Sequence, residues 1–167
     1  MSSVARSAEM QLSPQARNAI ERLMARYGSV IDNGEFEAWP QLFTEDGVYR
    51  IVTRIDHQAG RDFGVWYCSN RGMIEDRVSS IRRVNVYEPH VYRHIIGSTE
   101  ILGVHGSEIA CETSYMVVRT DVDGDMIVFS AGKYVDTVAL DGHTALFRSR
   151  LVVTDSTRFD TLVALPL

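Results

Sequence analysis

Residues 92–155, YRHIIGSTEILGVHGSEIACETSYMVVRTDVDGDMIVFSAGKYVDTVALDGHTALFRSRLVVTD, decide the fold. They divide into four runs, about 92–104, 107–121, 125–140 and 143–155, joined at His105-Gly106, Asp123-Gly124 and Asp141-Gly142. Apolar residues alternate with polar ones through each run, which is the period of a half-buried strand. Asp-Gly between such runs predicts a type I′ hairpin, whose two central residues both need positive φ. Three hairpins in succession make an antiparallel meander. In the last run Ala145, Phe147, Ser149, Leu151 and Val153 line one face, and Arg148 and Arg150 share the other.

Upstream, the period changes to that of helices. Ser13-Pro14 reads as an N-cap followed by proline at the first helical position. Ala16, Ala19, Ile20, Leu23, Met24, Tyr27, Val30 and Ile31 recur at helical spacing, and Asn33-Gly34 supplies a stop, so a helix is predicted over 14–32. A short apolar segment follows (Phe36, Trp39, Leu42, Phe43), limited to a turn or two by Pro40. Asp46-Gly47 then turns the chain into a strand over 48–55, and a Gly60/Gly64 loop leads to a short strand at 65–68. Residues 72–84 read as a second helix with the stripe Ile74, Val78 and Ile81. Arg77 falls inside that stripe and Asp76 opposite it. A cation beside a core stripe predicts a carboxylate or carbonyl partner.

Helices first and a meander afterwards give an α+β fold, a strongly curved, mostly antiparallel sheet wrapped by N-terminal helices, with a pocket at its open end. Residues 1–12 read as a flexible arm and 13–167 as one domain. The apolar tail 161–167 is expected to add an edge strand or dock on a partner.

Composition narrows the function. The chain has 167 residues, 45% hydrophobic and 23% charged, as in a soluble globular domain. Its net charge of −5 argues against nucleic acid, which needs a basic footprint. No segment approaches the roughly 18 apolar residues of a membrane span, and the polar N-terminus lacks a signal-peptide core. A cytoplasmic location is expected. Lys133 is the sole lysine among 17 basic residues. Codon bias accounts for such a ratio, and arginine's planar fork also suits protein interfaces.

Candidate chemistry is sparse. His90 and His94 have the H-x3-H spacing of a helical metal pair, but on a strand they stand about 13 Å apart, too far for one metal. Asp121, Asp123 and Asp125 lack the downstream glutamate of a calcium loop and are explained by a hairpin. Cys68 and Cys111 make neither a disulfide framework nor a metal site. Asp32, ending the first helix, and His94, early in the meander, could converge: a carboxylate orienting an imidazole makes a general base suited to dehydration or isomerisation. The plainer reading is that Asp32 ends the helix and His94 satisfies backbone groups.

Five stretches are distinctive together: Val52-Thr53-Arg54, Trp66-Tyr67-Cys68-Ser69, Gly72-Met73-Ile74-Glu75-Asp76-Arg77-Val78, Tyr92-Arg93-His94-Ile95-Ile96 and residues 147–155. With them the chain resembles, over about 15–167, the small (β) subunits of bacterial Rieske-type aromatic-ring-hydroxylating dioxygenases. The first helix with Asp32, Trp39 and residues 42–47 resembles more broadly the nuclear-transport-factor-2-like superfamily, with its cystatin-like cone. That superfamily includes scytalone dehydratase and ketosteroid isomerase.

The resemblance implies a non-catalytic assembly subunit that trimerises and packs on three α subunits (α3β3). It implies that the α subunit holds a Rieske 2Fe–2S cluster and a mononuclear iron, fed with electrons by a ferredoxin and reductase. No cofactor or metal is expected in this chain, which has no Cys-x-His motif for a Rieske centre. Glu75, Asp76, Arg77, Arg93, Arg148 and Arg150 are then candidates for ion pairs that set registry and assembly, some across chains. The alternatives are a stand-alone dehydratase or isomerase using Asp32 and His94, or a small-molecule binding module.

Overall fold

The computed structural model describes residues 12–61, 64–83, 89–159 and 163–167. Of the predicted arm, only Leu12 lies within them, and it packs against the core. Helix α1 (Pro14–Asp32) begins as predicted: Ser13 Oγ accepts the Ala16 N–H at 3.1 Å, with Pro14 in the first turn. Its buried stripe runs from Ala19 to Ile31. Two 3-10 turns, Phe36–Ala38 and Pro40–Leu42, then carry Phe36 and Trp39 into the core.

Strand β1 (Phe43–Thr53) starts earlier than predicted. Asp46-Gly47 is not a turn but an irregularity inside the strand, where its pairing slips between Phe43 and Val48. The strand also ends sooner, because Thr53 caps an unforeseen helix α2 (Arg54–Gln58): its hydroxyl accepts the Asp56 N–H at 3.1 Å and donates to the Asp56 carboxylate at 2.6 Å. Strand β2 (Trp66–Cys68) and helix α3 (Arg71–Arg83) follow. The meander is β3 (His90–His105), β4 (Glu108–Asp121), β5 (Met126–Asp141) and β6 (Thr144–Thr154).

The sheet order is β2-β1-β6-β5-β4-β3. All neighbours are antiparallel except β1 and β6, which run parallel. The fold is therefore α+β with a mostly antiparallel sheet, and α1 packs across it on β3 and β6.

Two details of the meander differ from expectation. The tight turns are not type I′. His105 pairs with Glu108 and Asp141 with Thr144, so the turn residues are Gly106-Ser107 and Gly142-His143. Among the described residues only glycines have positive φ, here +64° and +59°, which is the type II′ pattern of glycine at the first central position. Secondly, Arg148 and Arg150 do not share a face. Phe147 pairs with Val138 and Ser149 with Thr137, leaving Arg148 as an extra residue. That bulge resets the alternation, so Phe147 and Arg150 are both buried while Arg148 faces outward onto Asp46 at 2.6 Å.

The core is aromatic. Tyr27, Trp39, Phe43, Tyr49, Tyr134 and Phe147 are all fully buried. They meet largely edge-on, for example Tyr27 and Phe147 at 5.7 Å and Trp39 and Tyr49 at 5.1 Å. Each such side chain removed from water contributes about 1.5–3 kcal/mol. Residues 163–167, the described part of the tail, do not form an edge strand: Val163, Ala164, Leu165 and Leu167 are buried in this chain's own core, where Tyr27, Tyr49 and Trp66 hydrogen-bond their backbone.

Candidate functional site

Asp32 and His94 do converge. The end of α1 lies over β3, and His94 Nδ1 donates to Asp32 Oδ1 at 2.6 Å. The His94 backbone N–H donates to both carboxylate oxygens, at 2.9 and 3.2 Å. The outward-facing Arg93 approaches the same carboxylate at 3.7 Å. Asp32 thus does more than end a helix: it ties α1 to β3 through two hydrogen-bond donors of His94 and the Arg93 charge beside them. Gly28, one turn earlier on α1, lies against His94 Cβ.

A carboxylate-oriented imidazole is the hardware of a general base. Access is what this one lacks. The His94 side chain has 0% exposure, and its Nε2 is buried without a hydrogen-bond partner among the described residues. The rings of Tyr27 and Tyr92 stand edge-on to it at 6.2 and 6.3 Å. An open cleft of about 890 Å³ does lie between α1 and β3, but Arg17, Glu21, Met24, Ala25 and residues 96–100 line it, not the dyad.

The second buried polar cluster is Arg150 and Asp136, both with 0% side-chain exposure, joined by two bonds of 3.0 and 2.7 Å. Three rings surround the guanidinium, Tyr27, Tyr134 and Phe147, with centroids 3.9–4.1 Å from Cζ. Its Nη2 also reaches Met24 Sδ at 2.8 Å. Burial works against the Arg150 charge, yet Asp136 beside it holds the guanidinium proton above its ordinary range. Burial pushes the Asp136 carboxyl above its usual range, against the pull of Arg150. Asp136 was not a sequence candidate. Its signal was there: Tyr134, Asp136 and Val138 alternate onto one strand face, so a carboxylate sits in an apolar row.

The remaining candidates are dispersed. Arg77 finds no carboxylate among the described residues; it stacks over the Trp66 ring at 4.5 Å. The carboxylate or carbonyl partner expected from the sequence is not what it meets: an aromatic face takes that place, which a guanidinium stacks on favourably. Glu75 is exposed and lies 3.9 Å from Arg71 on the next turn. Asp76 faces outward beside a small cleft of Tyr67, Met73 and Ser80. Among the described residues no three His, Cys, Asp or Glu side chains gather as a metal site. Burial raises the Cys68 thiol, and pushes Cys111 up to about 12.

Comparison with known proteins adds what the geometry cannot. The chain is 38% identical over 148 residues to the anthranilate 1,2-dioxygenase small subunit of Burkholderia cepacia, covering 89% of this chain and 92% of that one. The chain belongs to the dioxygenase small-subunit family. A second family member, the β1 subunit of the terephthalate 1,2-dioxygenase terminal oxygenase component from Comamonas sp, is 38% identical over 144 residues, 86% of this chain and 93% of its own. A crystal structure assigned to the β subunit of an aromatic-ring-hydroxylating dioxygenase from Novosphingobium aromaticivorans superposes with a TM-score of 0.84. It is 39% identical and covers 91% of this chain and 97% of its own. The SnoaL-like domain model matches residues 13–150.

Proposed function

We propose that this chain is the non-catalytic β subunit of a ring-hydroxylating dioxygenase that acts on an aromatic compound, assembled as α3β3 in the cytoplasm. The observation that carries the reading is the near full-length match to dioxygenase small subunits. The sheet supports it. On the outer surface of β3, β4 and β5, Val91, Ile95, Met116, Met126 and Val128 are each more than a third exposed. Ile95 lies opposite Met116, Val118 opposite Val128 and Thr120 opposite Met126, so the surface runs across all three strands. A largely apolar face of this kind, interrupted by the outward-facing Arg93 and by Thr120, marks a protein contact. The β chain trimerises and scaffolds the α subunits, and a ferredoxin and reductase deliver electrons to the complex.

The Rieske cluster and the mononuclear iron belong to the α subunit. The described residues fit neither: for the cluster, Cys68 is on β2 and Cys111 on β4, with β1, β6 and β5 between them, and both are buried thiols; for the iron, no three His, Cys, Asp or Glu side chains gather.

One observation favours a second reading, the 2.6 Å Asp32–His94 contact of a dehydratase or isomerase base. Its buried, unreached Nε2 places it second. Co-expression with a dioxygenase α chain separates the two. The expected result is a co-purifying complex with a 2Fe–2S absorption spectrum whose turnover survives His94→Ala. Turnover by the β chain alone, abolished by His94→Ala in a folded protein, would overturn the assembly reading.

A further inference from the structure

Residues 163–167 are held as a ligand is held. The Leu167 main-chain oxygen accepts from the Tyr27 hydroxyl at 2.6 Å and from Tyr49 at 3.2 Å. The Leu167 N–H donates to the Tyr49 hydroxyl at 3.0 Å. Farther along, the Trp66 indole N–H donates to the Val163 carbonyl at 3.2 Å. Three aromatic side chains from α1, β1 and β2 therefore converge on one short segment. Its own side chains insert among them, and Leu167 is 0% exposed.

The walls of this position are aromatic. Trp39, Trp66 and Phe43 stand 5.1, 6.2 and 6.2 Å from the Tyr49 ring. The Trp39 indole N–H is buried beside them with no hydrogen-bond partner among the described residues. Burial pushes the Tyr27 hydroxyl up to about 12 and Tyr49 well above the usual phenol range, so both stay protonated donors at neutral pH. Two O–H donors converging on one oxygen suit a carbonyl, and suit a carboxylate better, since charge-assisted hydrogen bonds are about twice as strong as neutral ones. An apolar, ring-lined enclosure with a few convergent donors is the make-up of a small-molecule site.

We propose that residues 163–167 fill a small-molecule position, and that the Tyr27–Tyr49 hydroxyl pair is a site for the carboxylate oxygen of a flat aromatic acid when the segment leaves it. The segment is the resident occupant, and a ligand competes with it. This stands apart from the assembly role, which holds whether or not the position opens.

Trp39 and Trp66, the two tryptophans of the chain, border the position and report on it. The test is a fluorescence titration of the full chain with benzoate. Leu165→Asp together with Leu167→Asp places charges on the buried segment and drives it out. The expected result is at least tenfold tighter benzoate binding than wild type, with the gain lost when Tyr27→Phe and Tyr49→Phe are added. A variant that is folded by circular dichroism but binds no tighter overturns the proposal, as does a gain that survives loss of both hydroxyls. Should the double variant not fold, Leu167→Ala in the full chain is read the same way, with at least threefold tighter binding expected and an unchanged affinity overturning the proposal.

Discussion

Arg150 carries a full charge into the aromatic centre of the molecule, with Asp136 as its counter-ion. Desolvating both groups costs about as much as their attraction returns, so the pair fixes geometry more than it adds stability. Removing one partner is different, because it strands the other charge. Arg150→Met or Asp136→Leu alone is expected to cost about 3–5 kcal/mol in denaturant unfolding, and the double variant less than either; a double cost equal to the sum would refute the coupling. A second residue-scale expectation concerns acid. The Arg82 guanidinium holds the Glu37 carboxyl down at about 2, from an ordinary 4.5. A folded-state value below the unfolded one contributes stability that is present above about 4.5 and lost as pH falls toward 2. Glu37→Gln should flatten the acid limb of the stability profile over that window, and a carbon-13 titration of Glu37 with an ordinary midpoint would contradict it. At this scale the sequence was half legible. Arg77 and Arg150 stood out as cations in need of partners. Asp136 did not: it alternates regularly with Tyr134 and Val138 on β5, but a carboxylate in an apolar row reads as an outward-facing residue until the buried cation opposite it is known, and the bulge at Arg148 hides that Arg150 turns inward.

Helix α1 and strand β3 are joined at Asp32, where one carboxylate accepts from the His94 ring and backbone. Hydrogen bonds to an ionised acceptor are worth about 1.5–3 kcal/mol each. Asp32→Ala should therefore lose at least that much and speed hydrogen exchange at the His94 amide by tenfold or more; an unchanged exchange rate would show that packing alone seats the helix. The close pairing of β5 and β6 gives a sharper case. A Cβ added at Gly132 would meet the Val153 carbonyl oxygen at 2.0 Å, and that atom is backbone. Gly132→Ala should cost about 1–3 kcal/mol as an overpacking change, read as a lowered unfolding midpoint, and a neutral result would mean the strands can separate there. The long elements were legible because periodicity runs through many residues: α1, α3 and the four meander strands lie close to where their patterns put them. Short elements carry too few residues for that. Helix α2 rests on a single Thr53–Asp56 cap, and the turns on which glycine sits at which central position.

Over the whole molecule, the parallel contact between β1 and β6 closes the N-terminal half onto the end of the meander. No local pattern encodes it, since alternation fixes a strand's face and not its neighbour. The family resemblance was legible from the five motifs, and the comparisons bear it out, whereas the burial of residues 163–167 was hidden by their apolar character, which suits a core and an interface equally. What the fold leaves uncovered is the outer face of β3–β5. Val91, Met126 and Val128 are each at least 60% exposed there, and Ile95 54%. Folding alone gives no reason to hold these side chains in water, and a partner chain does. Charge on that face should therefore break assembly without harming the fold. Met116→Glu with Val128→Glu is expected to move stability by no more than about 0.5 kcal/mol per site, as for exposed substitutions in general. The same variant should lower the mass measured by light scattering from that of an oligomer to that of one chain, or release the α subunit from the co-expressed complex. A variant that keeps both the wild-type mass and the α subunit would remove this face from the assembly, and a variant that unfolds would show that the face is part of the core.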